Sequence, residues 1–296
     1  MRSAKGSTQF TTMKARNIQH TSFANEVQMG PMRVKQPLPA TNIRQMSPFI
    51  LLHHAGPTYY NPDTSKPRLS PHPHRGFEPV TFLFQGKIHH KDSLGNEGFL
   101  NAGDVQWMTS GKGIIHSEGP SAEFMQEGGN FELIQLWVNL PRVHKMTEPK
   151  YQHLTKETMP VIKEDGLELQ LVAGNYKGQT GAASTFSPIL AMMVHFDAGA
   201  KTFFELPDSY NALVYVLDGE IKTNETTVEK LNMVTFDHEG EGIDFEAVSK
   251  GKLLLLAGEP IQEPLSTYGP FVMNYPAELK QAIEDYELGL MGVLED

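Results

Sequence analysis

Four side chains in two short motifs could hold a metal ion. The first motif is His72-Pro73-His74-Arg75-Gly76-Phe77-Glu78, and the second is Gly113-Ile114-Ile115-His116-Ser117-Glu118. Each puts two candidate ligands at positions i and i+2. Residues two apart on a β-strand project from the same face, so two strands lining one barrel would let His72, His74, His116 and Glu118 converge. Three imidazoles and a carboxylate make a mixed nitrogen–oxygen donor set. That set suits one divalent first-row ion such as Fe(II), Mn, Co, Ni, Cu or Zn better than Ca or Mg. Against this stands the ordinary use of histidine, which is more often a surface or hydrogen-bonded core residue than a ligand. The second pair at the same spacing, and the glycines around both pairs that let backbone turn tightly beside a pocket, weigh toward a site.

The elements that must position these residues read mostly as strands. Pro79–Phe84 is rich in β-formers and ends at the turn signal Gln85-Gly86. Further strand-like runs are Lys87–Lys91, Phe99–Asn101, Val105–Met108 and Phe131–Leu140. In the last of these, Leu133, Gln135, Trp137 and Asn139 share one face and Ile134, Leu136 and Val138 the other. Residues 141–160 are polar with prolines at both ends and read as a linker. Strands resume with Leu167–Ala173, Ile189–Phe196, Ala212–Leu217, Met233–Phe236 and Lys252–Ala257. Asp218-Gly219 after the second-half strand parallels Gln85-Gly86, a faint repeat that suggests two similar β-domains in tandem. A helical pattern is clear only in Pro276–Leu290, with apolar Leu279, Ala282, Ile283 and Tyr286 and a proline suited to the first turn.

Composition narrows the function. The chain has 296 residues, 39% of them hydrophobic, with 26 glycines and 20 prolines, which favours many short elements joined by turns. Its 25 basic and 35 acidic residues give a formal charge of −10, and no basic cluster stands out. Direct binding to nucleic acid or to an anionic membrane is therefore not expected. The absence of cysteine rules out disulfides, iron–sulfur clusters and thiolate chemistry and fits a cytoplasmic protein. No apolar run approaches bilayer length. Met13 is a candidate natural start, with residues 1–12 an addition.

These motifs, with Gln106-Trp-Met-Thr-Ser-Gly-Lys-Gly-Ile-Ile-His116-Ser-Glu118, Gln135-Leu-Trp-Val-Asn-Leu-Pro141, Glu259-Pro-Ile-Gln-Glu-Pro and Tyr268-Gly-Pro-Phe-Val-Met-Asn274, resemble the pirins, a bicupin family. The likeness runs from about residue 14 to the end. It implies an all-β fold of two tandem cupin-type jelly-roll barrels with a short C-terminal helix. The expected division is a metal-binding cupin at 13–148 and a cupin without metal ligands at 149–296. It implies one metal, iron foremost, held by His72, His74, His116 and Glu118. The broader cupin pattern takes its carboxylate from the first motif, which would be Glu78; Glu118 is favoured here because the pirin motif keeps it beside His116. Pirins commonly carry an acidic residue near His53, whereas this chain has His53-His54, which could lie near the site but are read as structural or exposed. His89-His90 are read as non-ligands, and His195 and His238 lack i+2 partners. The second barrel's counterpart of the His-x-His strand is placed near Asp208–Tyr215, which holds no histidine.

The resemblance further implies quercetin 2,3-dioxygenase chemistry on a small aromatic or enolic substrate with O2. Glu118 would serve as catalytic proton acceptor for the flavonol 3-hydroxyl, and the heterocycle would open with loss of CO. Trp107 and Met108 would line the cleft or simply pack in the core. The alternative is a metal-dependent regulatory protein that works through a protein partner without turnover.

Overall fold

The computed structural model describes residues 13–30, 32–62 and 69–295; the expectation about residues 1–12 lies outside them. The first half carries twelve strands: β1 (Ile18–Phe23), β2 (Asn25–Met29), β3 (Met32–Leu38), β4 (Phe49–Tyr60), β5 (Leu69–His74), β6 (Phe77–Gln85), β7 (Lys87–Asp92), β8 (Glu97–Asn101), β9 (Val105–Thr109), β10 (Ile114–Pro120), β11 (Gly129–Asn139) and β12 (Lys150–Leu154). One helix, α1 (Ala122–Glu127), sits between β10 and β11, capped by the Ser121 hydroxyl; the sequence pattern did not predict it. A seven-stranded sheet in the order β12-β9-β6-β11-β4-β3-β2 faces a four-stranded sheet in the order β5-β10-β7-β8. The polar segment 141–160, read as a linker, contributes β12 to this barrel, paired antiparallel with β9.

The second half repeats the plan. A seven-stranded sheet that includes Ile189–Phe196, Asn211–Asp218 and Gly251–Gly258 faces a four-stranded sheet formed by Lys201–Glu205, Gly242–Ala247, Glu220–Thr223 and Thr226–Glu229. The molecule is thus two cupin barrels plus a C-terminal helix, α2 (Pro276–Glu287), as the sequence predicts. By sheet order, β6 corresponds to Asn211–Asp218, in keeping with the paired Gln85-Gly86 and Asp218-Gly219 turns. The counterpart of the His-x-His strand β5 is Lys201–Glu205, not the Asp208–Tyr215 stretch. It too holds no histidine. Phe204, Ile221, Ile243 and Phe245 close this barrel's interior as part of one apolar cluster.

Strand alternation divides the labour of the large sheets. Val80, Phe82 and Phe84 on β6, Val105 and Trp107 on β9, and Ile134, Leu136 and Val138 on β11 pack against Ala191, Met193, Leu213, Tyr215, Leu254 and Leu256 of the second half. The two barrels therefore share one apolar core between their seven-stranded sheets, and the opposite parity on each strand is left for the barrel interior. Trp107 is fully buried in this shared core, and so is not part of a cleft.

Both ends of the chain cross the expected boundary at 148/149. β1 pairs with Asn232–Phe236 of the second barrel. In return, Phe271, Met273, Leu279, Ala282 and Met291 cover Ile115 on β10 of the first. Pro276 occupies the first turn of α2, and Glu278 accepts from the backbone N–H of Tyr275 and of Asn274, each at 2.9 Å. Among the described residues no helix is long and apolar enough to cross a membrane.

Candidate metal centre

The His-x-His strand β5 and the His-x-Glu strand β10 are hydrogen-bonded neighbours. His116 lies directly opposite His72 in an antiparallel register, and Ile114 opposite His74. All four candidate ligands keep one parity and face the interior. Ring centroids are 4.3 Å apart for His72 and His116, 4.8 Å for His72 and His74, and 4.9 Å for His74 and His116. One potential ligand atom from each of the three lies within 4.8 Å of the others. His74 and His116 are buried and His72 half-buried.

The carboxylate joins from one side. The β5–β10 register slips between His116 and Glu118, so Glu118 groups within 4.8 Å of His116 and His90 rather than with all three predicted histidines. Two amides hold it: Gln106 Nε2 donates to Oε2 at 3.1 Å and Gln135 Nε2 to Oε1 at 2.8 Å. Gln106 sits between Val105 and Trp107, and Gln135 between Ile134 and Leu136, so both are the inward residues of strands whose other face is apolar. A carboxylate offers about four lone-pair sites, so these two bonds leave room for a cation.

Glu78 is elsewhere. Gly76, with φ of +84°, turns the chain from the small sheet into the large one. Glu78 then takes the parity of Val80 and Phe82, and its Oε1 accepts from the Thr109 hydroxyl at 2.8 Å. Burial pushes its carboxyl up to about 7, against the lowering effect of Thr109. Its even offset from His74 would count only on an unbroken strand.

His90, read from sequence as a non-ligand, faces the barrel interior and groups with His116 and Glu118. It lies opposite Glu118 on β7, is fully buried, and stacks on Tyr151 with centroids 4.7 Å apart. Its Nε2 is 3.5 Å from Asp92 Oδ2, and its ring is 5.4 Å from that of His116. His89 alternates outward, stacked on Phe99 and bonded to Glu97 at 2.7 Å. Alternation along the strand allows only one of two adjacent histidines to face in, and that one is His90.

The donor set fits a transition ion. His72 Nδ1 bonds the Ser70 carbonyl at 2.8 Å and His74 Nδ1 the Pro270 carbonyl at a long 3.4 Å, which puts the proton on Nδ1 and leaves each Nε2 as a bare lone pair. Histidine ligands are oriented in this way by a carbonyl on the far nitrogen. His74 Nε2 is buried with no hydrogen-bond partner, a costly state that a cation at the triad would relieve. Burial and the neighbouring His72 both push His74 well below the usual histidine range, keeping it in the neutral form that binds metal.

An apolar cavity adjoins the carboxylate. Met29, Met32, Leu69, Ile88, Phe131 and Leu133 line it together with Glu118, Gln135 and His53. Its free volume is about 30 Å³, room for a water or two. His53 lines this cavity from β4, the nearer-to-site position of the two the sequence left open. Its neighbour His54 has the opposite parity and enters the core between the barrels. There it bonds Tyr215 at 2.9 Å and Glu132 at 3.1 Å, and Lys252 also pairs with Glu132.

With this geometry, the sequence matches the Pirin family over residues 31–138 and the pirin C-terminal cupin domain over residues 191–292. A Pseudomonas aeruginosa protein, named by inference a quercetin 2,3-dioxygenase, is 40% identical over 248 residues, covering 83% of this chain and 87% of that one. The chain belongs to the pirin family. A crystal structure described as quercetin 2,3-dioxygenase from Acinetobacter baumannii superposes with a TM-score of 0.90 at 38% identity, covering 95% of this chain and all (100%) of that one. The bacterial pirin YhhW of Escherichia coli, solved in complex with nickel(II), shares the fold at a TM-score of 0.64 and 18% identity, over 80% of this chain and 96% of that one.

Proposed function

We propose that this pirin is a metal-dependent dioxygenase that cleaves quercetin, or a related flavonol or enolic substrate, with O2, and that its metal is Fe(II). The observation that carries the reading is one cluster of three imidazoles, with a bare buried nitrogen on His74, beside a carboxylate that borders an apolar cavity. Similarity to proteins named as quercetin 2,3-dioxygenases supports it.

His72, His74, His116 and Glu118 are the residues that would hold the ion, with His90 next to them. When bound, a divalent transition ion supplies Lewis-acid pull on an enolic oxygen and a path for electrons toward O2. The protein's own contribution is more specific. The cavity wall buries the rings of an aromatic substrate and excludes water. Glu118 faces the substrate hydroxyl and accepts its proton. Gln106 and Gln135 fix the carboxylate plane, so the acceptor oxygen is in place before substrate arrives. In the net reaction both atoms of O2 enter the products as the heterocycle opens and one ring carbon leaves as CO. The cavity must widen to admit a flavonol. Met29 and Met32 are half-buried and have the rotatable bonds to move aside.

The test is aerobic turnover by metal-loaded protein. Consumption of O2 with quercetin and equimolar release of CO are expected. A fully loaded protein that takes up no O2 with any flavonol rejects the dioxygenase reading, and metal-dependent action through a protein partner then becomes the better account.

A further inference from the structure

His53 combines three features. It is nine-tenths buried, with 9% of its surface exposed; it lines the cavity beside Glu118; and its Nδ1 has no hydrogen-bond partner. The tautomer follows from a short chain of bonds. Gln36 Nε2 donates to the Pro39 carbonyl at 3.1 Å, which fixes the orientation of the amide. The other amide atom, Oε1, is an acceptor and lies 3.0 Å from His53 Nε2. His53 must therefore carry its proton on Nε2, and Nδ1 is left as a bare acceptor. Burial pushes the imidazole down to about 4, consistent with a neutral ring. An enclosed acceptor without a donor costs free energy comparable to a lost hydrogen bond. A ligand that brings a donor to it would recover that cost.

Position says which donor. His53 on β4 pairs directly with Gln135 on β11, and Gln135 reaches Glu118 at 2.8 Å. His53 therefore stands one strand spacing, about 4.8 Å, beyond the residue that holds the carboxylate, along the same cavity wall. The remainder of that wall is largely apolar.

We propose that His53 is a substrate-positioning residue that selects polyhydroxylated aromatic ligands, accepting at Nδ1 a hydrogen bond from a second ring hydroxyl beyond the one that faces Glu118. This rests on the flavonol reading above. It makes the cavity discriminate among flavonols by hydroxyl pattern rather than by ring size. Gln36 acts through His53 by holding the tautomer.

Binding tests this without turnover. Zinc-loaded protein is titrated anaerobically with quercetin and with 3-hydroxyflavone, which lacks every hydroxyl except the one at position 3. Wild type is expected to prefer quercetin. His53→Phe is expected to reduce that preference about three- to tenfold, the range for one neutral hydrogen bond, by weakening quercetin more than 3-hydroxyflavone. Gln36→Met keeps the imidazole but frees its tautomer. It should also lower the preference, and it serves where the phenylalanine variant fails to fold. Equal weakening of both ligands in His53→Phe, or an unchanged preference in Gln36→Met, overturns the proposal. Wild-type protein that binds neither compound rejects the flavonol reading itself.

Discussion

The Lys145 ammonium donates to the carbonyl of Val272, 3.0 Å away and 127 positions later in the chain. The same ammonium donates to the Gly76 carbonyl and to Asn139 Oδ1, each at 2.8 Å. It thus ties the returning C-terminal segment to the turn that follows the His-x-His motif. Beside it, the Val272 N–H donates to the Arg75 carbonyl at 3.0 Å and Arg75 pairs with Asp285 at 2.7 Å. The segment delivers the Pro270 carbonyl to His74.

Lys145→Met removes the ammonium from three buried acceptors and should cost on the order of 3 kcal/mol of stability, read by urea denaturation. Because Pro270 travels with that segment, metal affinity should also fall, as it does when an outer partner of a metal ligand is lost. A variant with unchanged metal affinity would show that the segment stabilises the barrel without orienting His74.

Much of this was legible in the sequence, and the reasons for the rest are physical. The convergence of His72, His74 and His116 was legible because i,i+2 spacing maps directly onto a strand face. Glu78 stayed a lesser alternative to Glu118 because its even offset from His74 counts only on an unbroken strand, and Gly76 breaks this one. Gln106 and Gln135 were legible as positions, since each is a polar residue amid an apolar alternation, but their convergence on Glu118 depends on the order of sheet strands, which local pattern does not contain. His53 and His54 looked alike in sequence. Alternation sends one to the cavity and the other to the core between the barrels. Pro270 depends on a contact across 196 positions, beyond the reach of any motif.

Glu78→Gln separates the two glutamates through pH. Burial pushes the folded-state carboxyl from its ordinary 4.5 up to about 7. The unfolded chain therefore loses its proton first as pH rises, and wild-type stability falls between about pH 4.5 and 7. The glutamine variant escapes that loss. Its advantage should grow across this window to at most about 3 kcal/mol and stay flat above it, measured by denaturant titration at each pH. Metal content should be unchanged. An emptied site would make Glu78 a ligand.

His116 belongs to both groups of potential ligands, the one with His72 and His74 and the one with His90 and Glu118. His116→Ala should therefore lower metal affinity the most, by at least about 100-fold. His90→Phe should cost about tenfold, as expected for a residue beside the ligands rather than among them. Competition with a chelator of known affinity gives both numbers. A His90 variant that loses metal as completely as His116→Ala would make His90 a ligand in its own right.

Glu118→Gln separates the two roles proposed for the carboxylate, holding the ion and accepting a proton. Its two amide donors, Gln106 and Gln135, would face a neutral amide in its place, so some metal should be lost and turnover must be normalised to the metal that remains. A general base contributes about 10²–10⁴-fold. A charge lost from the ligand set alone acts mainly through occupancy. Normalised turnover of quercetin is therefore expected to fall at least about 100-fold, while anaerobic binding of the flavonol to the loaded variant weakens far less. Normalised turnover equal to wild type would assign the proton of the substrate hydroxyl to another group and leave Glu118 as a ligand only.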